Sequence, residues 1–327
     1  MKVEDRPSAR VMGIMIPLGL ALAVGPAGAE TEADENWLDY SVQEVGETLD
    51  AGANWFDRFF GDERDAEETD AVVHLRLIQD LRFESRNEMT YDPKFRLQVK
   101  LPRLQRKARL VIEGGTEEDR LTDSEVPPPT AADTGATSTS TSGASLRFDV
   151  LDQAMKKLSF SAGFRLNPLA TKLRTRYREA WRYDEDWLTR LAGTGYWDSR
   201  DGFGADLRGD IEHALTGGDM LRWSNYGLLS EISNGVEWSS EFTYFYRDSS
   251  HRAIAFDAGM FGQTRPDFQV NTYRIRARYR RNFYRPWLFY EVIPEVYWPL
   301  DDNGGGRDIN TALFLRLEIL FRQDGSG

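Results

Sequence analysis

Residues 311–321 read TALFLRLEILF, and this stretch decides the fold. Its odd-numbered positions, from Thr311 to Phe321, form one almost purely apolar face, and its even-numbered positions place Arg316 and Glu318 on the other. A period of two with one apolar and one mixed face is typical of a strand that meets lipid on one side and a wet interior on the other. The stretch therefore predicts a β-strand that crosses a membrane.

The same alternation recurs through residues 71–321 and indicates fourteen strands. Alternating apolar positions mark the first six strands at 73–83, 95–101, 108–112, 146–150, 158–166 and 173–177. The other eight candidates are 186–198, 202–215, 219–232, 235–248, 251–262, 268–282, 286–299 and 309–321. Two of them, 186–198 and 219–232, alternate poorly, so a barrel of twelve strands stays an alternative. We predict an all-β fold, a transmembrane antiparallel β-barrel of about fourteen strands that occupies residues 71–321.

Residues 1–29 have the features of a signal peptide. Basic residues precede an apolar run over 11–24, and Ala27-Gly28-Ala29 provides an A-x-A cleavage site. Outside this leader the chain has no run of about eighteen uncharged apolar residues, which excludes a helical membrane protein. Export through a cleaved signal peptide, together with the strand pattern, predicts localisation in the bacterial outer membrane.

Residues 30–70 are predicted to form a periplasmic segment. Leu38, Val42, Val45 and Leu49 recur at the spacing of an amphipathic helix, and 62–70 is an acidic linker. The helix could pack on the barrel mouth, plug the lumen or dock a periplasmic partner. Within the barrel, residues 115–144 contain Pro, Ser and Thr runs that predict a long extracellular loop. Residues 322–327 form a C-terminal tail.

Two arginine ladders carry the most informative chemistry, one within 174–178 and one within 274–280. An arginine that faced lipid near mid-membrane would cost about 2–4 kcal/mol, so both ladders must point inward. Acidic residues follow the same rule, and opposite charges on adjacent strands can pair. The pore-lining candidates are Arg174, Arg176, Arg178, Arg274, Arg276, Arg278, Arg280, Glu291 and Glu295.

Two interpretations of these inward charges stay open. In the first, arginines line a hydrated pore, and the protein is a passive or weakly anion-selective channel for small solutes, with small anionic solutes as its ligands. In the second, the charges neutralise each other, and a closed structural or interaction barrel presents the 115–144 loop or the N-terminal helix to partners.

Other function classes find little support in the sequence. A formal net charge of -12 makes the chain a poor nucleic-acid binder. An outer-membrane lipid-modifying enzyme is a third alternative, but the three histidines, His74, His213 and His251, have no metal-ligand spacing. We therefore predict a protein that is not an enzyme, with no catalytic residue, no cofactor and no metal.

Several short stretches resemble features of uncharacterised proteobacterial outer-membrane β-barrel proteins of the porin-like kind. They are WFDRFFGD at 55–62, LVIEG at 110–114, LRWSN at 221–225, WLFYE at 287–291 and LEILF at 317–321. The resemblance implies a barrel in contact with outer-membrane lipid and lipopolysaccharide and inserted by the barrel-assembly machinery, and it implies no activity. The tail after Phe321 departs from barrel-assembly signals, which usually end on the closing aromatic residue.

Overall fold

A computed structural model of the chain describes residues 49–60, 73–85, 89–101, 108–116, 140–153, 155–166, 169–233, 235–301 and 306–323. The chain divides into two units, 1–40 and 41–327, and every described residue belongs to the second. The predicted signal peptide, the linker 62–70, most of the 115–144 loop and the last residues of the tail lie outside the described residues and stay predictions. No helix in the described ranges is long and apolar enough to cross a membrane.

One helix and fourteen strands make up the described part of the chain. They are α1 (Leu49–Phe60), β1 (Val73–Glu84), β2 (Met89–Lys100), β3 (Ala108–Thr116), β4 (Ser140–Gln153), β5 (Lys156–Leu166), β6 (Leu169–Arg182), β7 (Trp187–Asp198), β8 (Gly202–Ala214), β9 (Met220–Ser230), β10 (Val236–Ser249), β11 (Arg252–Gln263), β12 (Gln269–Asn282), β13 (Leu288–Pro299) and β14 (Asn310–Gln323). Each strand pairs antiparallel with its neighbours in sequence, and β1 pairs with β14 from Val73↔Gln323 to Glu84↔Ala312. The sheet therefore closes, and the predicted antiparallel barrel of fourteen strands is confirmed.

The two faces of each strand explain the alternation in the sequence. On β14, Leu313, Leu315 and Leu317 point outward and are 38%, 37% and 40% exposed, whereas Glu318 points inward and is fully buried. Lipid covers an outward apolar band of this kind at no cost in desolvation, and inward polar groups find partners inside the barrel. Aromatic rings add to the outward face near the strand ends, as where Trp187 stacks on His213.

Strand β2 begins earlier than the sequence indicated. The alternation placed the second strand at 95–101, but β2 starts at Met89, and Gln79 lies opposite Pro93 in the β1–β2 pairing. Proline cannot donate a ladder hydrogen bond and usually argues against a strand, which is why the pattern here was missed. Strands also occupy both ends of 115–144, since β3 runs to Thr116 and β4 starts at Ser140.

The apolar core lies inside one end of the barrel and includes helix α1. Its wall residues point inward from the strand ends joined by short turns, the end at which β1 begins and β14 finishes. The core cluster consists of Ala53, Trp55, Phe56, Phe59, Phe60, Leu188, Met220, Phe245, Ala253, Ala255 and Phe289. The described part of the predicted helix, Leu49–Phe60, packs among these inward-facing residues, whereas residues 30–48 lie outside the described part of the chain and stay a prediction.

Candidate functional site

The β12 arginine ladder faces the lumen and is paired with carboxylates. The Nη2 of Arg274 donates to Glu241 Oε2 at 2.9 Å. Arg276 and Arg278 each donate through Nε to Oδ2 of Asp257, at 2.8 Å and 2.9 Å. Asp257 lies on β11 directly opposite Arg276, so the register of the sheet brings these charges together. Arg274, Arg276 and Arg278 thus each have an acidic partner on an adjacent or nearby strand.

The pairing continues into β13, β14 and β1. Arg280 is fully buried, and its Nη1 donates to Glu318 Oε2 at 2.8 Å and to Glu291 Oε2 at 3.4 Å. Glu318 also accepts from Arg76 Nε at 2.8 Å. Glu295 lies 3.8 Å from Arg274. We call these pairs on β10–β14 and β1 the ion-pair network.

The ion-pair network fits a structural role. A buried charge without a partner is strongly destabilising, whereas a paired charge fixes which strand residues lie opposite each other. Aromatic rings support the same arginines, since the Arg280 guanidinium lies 4.5 Å from the ring centre of Phe289 and that of Arg274 lies 4.4 Å from Phe261. Positive and negative charges alternate closely along this wall, so it contributes little net potential to the lumen.

The β6 ladder has different neighbours. Arg174, Arg176 and Arg178 also face inward. Directly opposite them, β5 and β7 place Ser161, Ser159, Lys157, Tyr196, Thr194 and Ala192. None of these six side chains is acidic, in contrast to β12, where Asp257, Glu295 and Glu291 lie directly opposite arginines. The two ladders looked alike in the sequence, and the strand register separates them.

Helix α1 is held in the lumen by a buried cluster of four charges. Asp57 is 3% exposed and accepts from Arg190 Nη1 and Arg222 Nη2, both at 2.6 Å. Glu212 contacts the same two arginines, since its carboxylate lies 2.7 Å from Arg222 Nε and 3.3 Å from Arg190 Nε. Two cations and two anions therefore balance, and Asp57 is the one member that belongs to the helix. We call Asp57, Arg190, Arg222 and Glu212 the latch.

Aromatic packing reinforces the latch on the side of α1 that faces β10–β13. The ring centres of Phe56 and Phe245 are 4.8 Å apart, and those of Phe59 and Phe289 are 5.9 Å apart. The guanidinium of Arg278 lies 4.8 Å from the ring centre of Phe60. Buried aromatic side chains each contribute on the order of 1.5–3 kcal/mol, so this face accounts for much of the docking of the helix.

The other side of α1 borders a cavity of about 520 Å³. Asn54 and Arg58, one helical turn apart, contribute the helix side of the cavity, and the barrel wall from β4 to β8 contributes the rest. Arg176, Arg178 and Arg208 line this wall. The cavity thus adjoins two of the three β6 candidates, whereas the β12 candidates lie across the helix from it.

The sequence did not reveal Asp57, Arg190, Arg222 or Asp257 as partners in these clusters. A signal for Asp57 was present, because it lies four residues after Ala53 and three before Phe60 and so shares their helical face. An acid on an otherwise apolar face indicates a buried cation opposite it. Asp257 gave a similar signal, since it is the single charge within the run AIAFDAGMF, but the identity of its partners depends on the strand register.

Two histidines of the described ranges each have an oxygen atom near Nδ1. His251 Nδ1 lies 2.7 Å from Ser250 Oγ on an exposed turn, and His213 Nδ1 lies 3.2 Å from the carbonyl oxygen of Asp186. Within the described residues, no group of three or more His, Cys, Asp or Glu side chains is placed to hold a metal ion.

No protein-family model matches this chain, and no curated protein sequence matches it. Among solved structures, the CymD monoaromatic hydrocarbon channel is 7% identical, with a TM-score of 0.48, over 83% of this chain and 94% of that one. OccK11 of Pseudomonas aeruginosa is 11% identical, with a TM-score of 0.43, over 76% and 96%. The outer membrane channel DcaP of Acinetobacter baumannii is 6% identical, with a TM-score of 0.45, over 76% and 96%.

Proposed function

We propose that this protein is a passive or weakly anion-selective channel for small solutes in the bacterial outer membrane. The observation that carries the proposal is the cavity beside α1, which Arg176 and Arg178 border from the wall and Arg58 borders from the helix. A hydrated path lined by guanidinium groups favours small anionic solutes over cations.

The membrane assignment rests on the barrel itself. The sheet is closed, so no strand edge is left without partners, and its outward face is rich in exposed apolar and aromatic side chains. Closed barrels satisfy every backbone group within the sheet, which is the condition for strands to span a bilayer. Outer-membrane lipid and lipopolysaccharide are then the surroundings of the outward face, and the barrel-assembly machinery is the partner in insertion.

Selectivity in this proposal comes from the β6 side of the lumen. The β12 set, Arg274 to Arg280, is neutralised by Glu241, Asp257, Glu291 and Glu318 and acts mainly in holding the wall together. Arg174, Arg176 and Arg178 point into the lumen from β6, and Arg176 and Arg178 border the cavity directly. Of the nine candidates from the sequence, we therefore assign solute selection to these three.

Helix α1 restricts the path at one end. Its aromatic side fills the space next to β10–β13, so solutes pass along the β4–β8 side, where the cavity lies. Because the aromatic residues of α1 are buried within the barrel, they are not offered to a periplasmic partner in this state.

The test is ion selectivity of the refolded protein in a planar bilayer under a salt gradient. Replacing Arg176 and Arg178 with Ser is expected to move the reversal potential toward zero, because two positive charges leave the path. The matched control replaces Arg252 and Arg281 with Ser, which removes two exposed arginines that lie opposite each other on the outward face. Equal reversal potentials in wild type and the Arg176/Arg178 variant, or absence of conductance from folded wild type, would contradict the proposal.

A further inference from the structure

We infer that Tyr196, Tyr226 and Glu237 form a binding site for an uncharged, hydroxyl-rich solute of the sugar type, in the lumen toward the barrel end opposite α1. We call these three residues the phenol–carboxylate site. Such a site goes beyond the proposed function, because it retains a neutral solute and does not select ions. Three polar side chains with unused hydrogen-bonding capacity carry the inference.

The phenol–carboxylate site is built from β7, β9 and β10. Glu237 lies near the start of β10, whereas Phe245, which packs on α1, lies near its finish. Tyr226 lies directly opposite Ser239 in the β9–β10 pairing, so Glu237 is its diagonal neighbour. Diagonal side chains on one face of a sheet lie within reach of each other. Tyr196 completes the site from β7, and Tyr226 interacts electrostatically with both Tyr196 and Glu237.

All three side chains have polar atoms that form no hydrogen bond within the described part of the chain. Tyr226 Oη is buried and has no partner there, and Tyr196 is 8% exposed with no hydrogen bond from its hydroxyl group to a described residue. Glu237 is partly buried and forms neither an ion pair nor a hydrogen bond within the described ranges. Buried polar groups are satisfied in most proteins, so unsatisfied ones that lie together indicate a ligand.

The position of Tyr196 is fixed by the contacts of its ring. Gly204 lies directly opposite Tyr196 on β8, and a methyl group at position 204 would overlap the ring. The Nζ of Lys172 lies 5.4 Å from the ring centre. The hydroxyl group of Tyr196 stays within electrostatic range of Glu237. A side chain held in place before the ligand arrives lowers the entropy cost of binding.

The hydrogen-bonding roles of the three groups select the ligand class. A phenol hydroxyl both donates and accepts, whereas a carboxylate only accepts. An oxyanion also only accepts, so it cannot pair with Glu237. An ammonium group only donates, so it would leave the protons of both phenols without an acceptor. Neighbouring hydroxyl groups of a sugar can donate to Glu237 and accept from Tyr196 and Tyr226, which satisfies all three side chains.

The phenol–carboxylate site adjoins the cavity beside α1. Arg208 borders that cavity and lies directly opposite Tyr226 in the β8–β9 pairing. A solute that leaves the cavity along β8 toward the opposite barrel end therefore meets Tyr226 next.

Isothermal titration of the folded protein tests the site with one ring skeleton in three charge states. Glucose is uncharged, glucosamine carries an ammonium group, and glucuronate carries a carboxylate. Maltose extends the uncharged probe to two rings. An amine-oxide detergent is used, because a detergent with a sugar headgroup would compete. We expect glucose or maltose to bind, and to bind more tightly than glucosamine and glucuronate.

Three variants make the result specific to the phenol–carboxylate site. Tyr226→Phe removes an oxygen atom that has no partner in the described structure, so the free energy of unfolding is expected to stay at or above the wild-type value. The Kd of the bound sugar is expected to rise about threefold to tenfold, as for one lost hydrogen bond. Glu237→Gln is expected to raise the Kd by about tenfold or more, since hydrogen bonds to charged groups are stronger. Tyr246→Phe, on the exposed outward face of β10, is the matched control and is expected to keep the wild-type Kd.

Absence of heat from both glucose and maltose would overturn the inference. A Kd that stays unchanged in both Tyr226→Phe and Glu237→Gln would overturn it as well, and so would tighter binding of glucosamine or glucuronate than of glucose. The titration does not depend on conductance. A folded protein that binds sugar but is silent in a bilayer therefore refutes the proposed channel and leaves the site in place, whereas one that conducts but binds neither sugar refutes the site alone.

Discussion

Asp57→Asn is the most informative single substitution, because it acts on the latch while keeping the shape of the side chain. In the wild type, Asp57 accepts from Arg190 and Arg222 at 2.6 Å and is 3% exposed. The substitution leaves two buried guanidinium groups with Glu212 as the remaining acid of the latch. The latch then carries an excess positive charge at the surface where the helix meets the wall.

The expected loss of docking free energy follows from the burial of Asp57 and its arginine partners. Removing one partner of a buried ion pair costs about 3–5 kcal/mol, and the remaining acid places Asp57→Asn near 3 kcal/mol. This loss falls on the docked state, because Arg190 and Arg222 become free to reorient toward water once α1 leaves. Since 1.4 kcal/mol is a factor of ten, the ratio of undocked to docked helix is expected to rise by roughly a hundredfold.

Single-channel recording measures this shift directly. The Asp57→Asn protein is expected to spend more time in a state of higher conductance, because the undocked helix no longer narrows the lumen. Asp248→Asn is the matched control, as it removes one carboxylate from an exposed pair with Arg252 at the barrel rim. An exposed pair of this kind contributes about 0–1 kcal/mol, so its record is expected to match the wild type.

A second-site change distinguishes the latch from a general loss of stability. Replacing Arg222 with Gln in the Asp57→Asn background restores one cation, Arg190, opposite one anion, Glu212. The double variant is expected to return toward the wild-type conductance pattern, since the charge excess is gone. If Asp57→Asn behaves like the wild type in a folded barrel, or if the second change adds to the defect, the latch reasoning is refuted.

Two other predictions concern the ion-pair network. Asp257→Asn removes the carboxylate that Arg276 and Arg278 share, so the free energy of unfolding is expected to fall by about 3–5 kcal/mol, whereas the reversal potential is expected to stay at the wild-type value because this wall packs against α1; a shifted reversal potential would contradict that assignment. Glu318→Gln removes a carboxylate that accepts a hydrogen bond from the fully buried Arg280. It is therefore expected to lower the free energy of unfolding by about 3–5 kcal/mol in urea titrations, and a loss below about 1 kcal/mol would contradict the buried pairing.

Most of the fold followed from alternation alone, and the places where alternation failed have a physical cause. Candidates 186–198 and 219–232 alternated poorly, yet both are strands of the barrel. Their inward positions include Leu188 and Met220, which belong to the apolar core around α1. An inward face is polar where it meets water and apolar where it meets a helix, so a rule based on a wet lumen misjudges these strands. Strand β2 was misjudged for the separate reason that Pro93 interrupts its pattern.

The candidate site was predictable in its residue types but not in its charge balance. The inward direction of Arg276 and Arg176 followed from the cost of placing arginine in lipid. Which of them has an acid opposite depends on strand register, and register is set by pairing between segments distant in sequence. The latch depends on contact between α1 and two strands more than 130 residues away, with sequence separations of 133 and 165. No local pattern encodes such a contact.

The inner wall of the barrel differs in composition between the two sides of helix α1. Phe245 and Phe289 are buried inward-facing residues of β10 and β13, and without α1 they would meet water in a hydrated lumen. Their presence on the same side as the neutralised β12 ladder means that this side is built to pack against the helix. The β6 side keeps its arginines and a cavity next to Arg58 instead of apolar contacts. The docked helix therefore divides the lumen into a side that is packed against α1 and a side with a cavity, and the proposed path for solutes runs along the second.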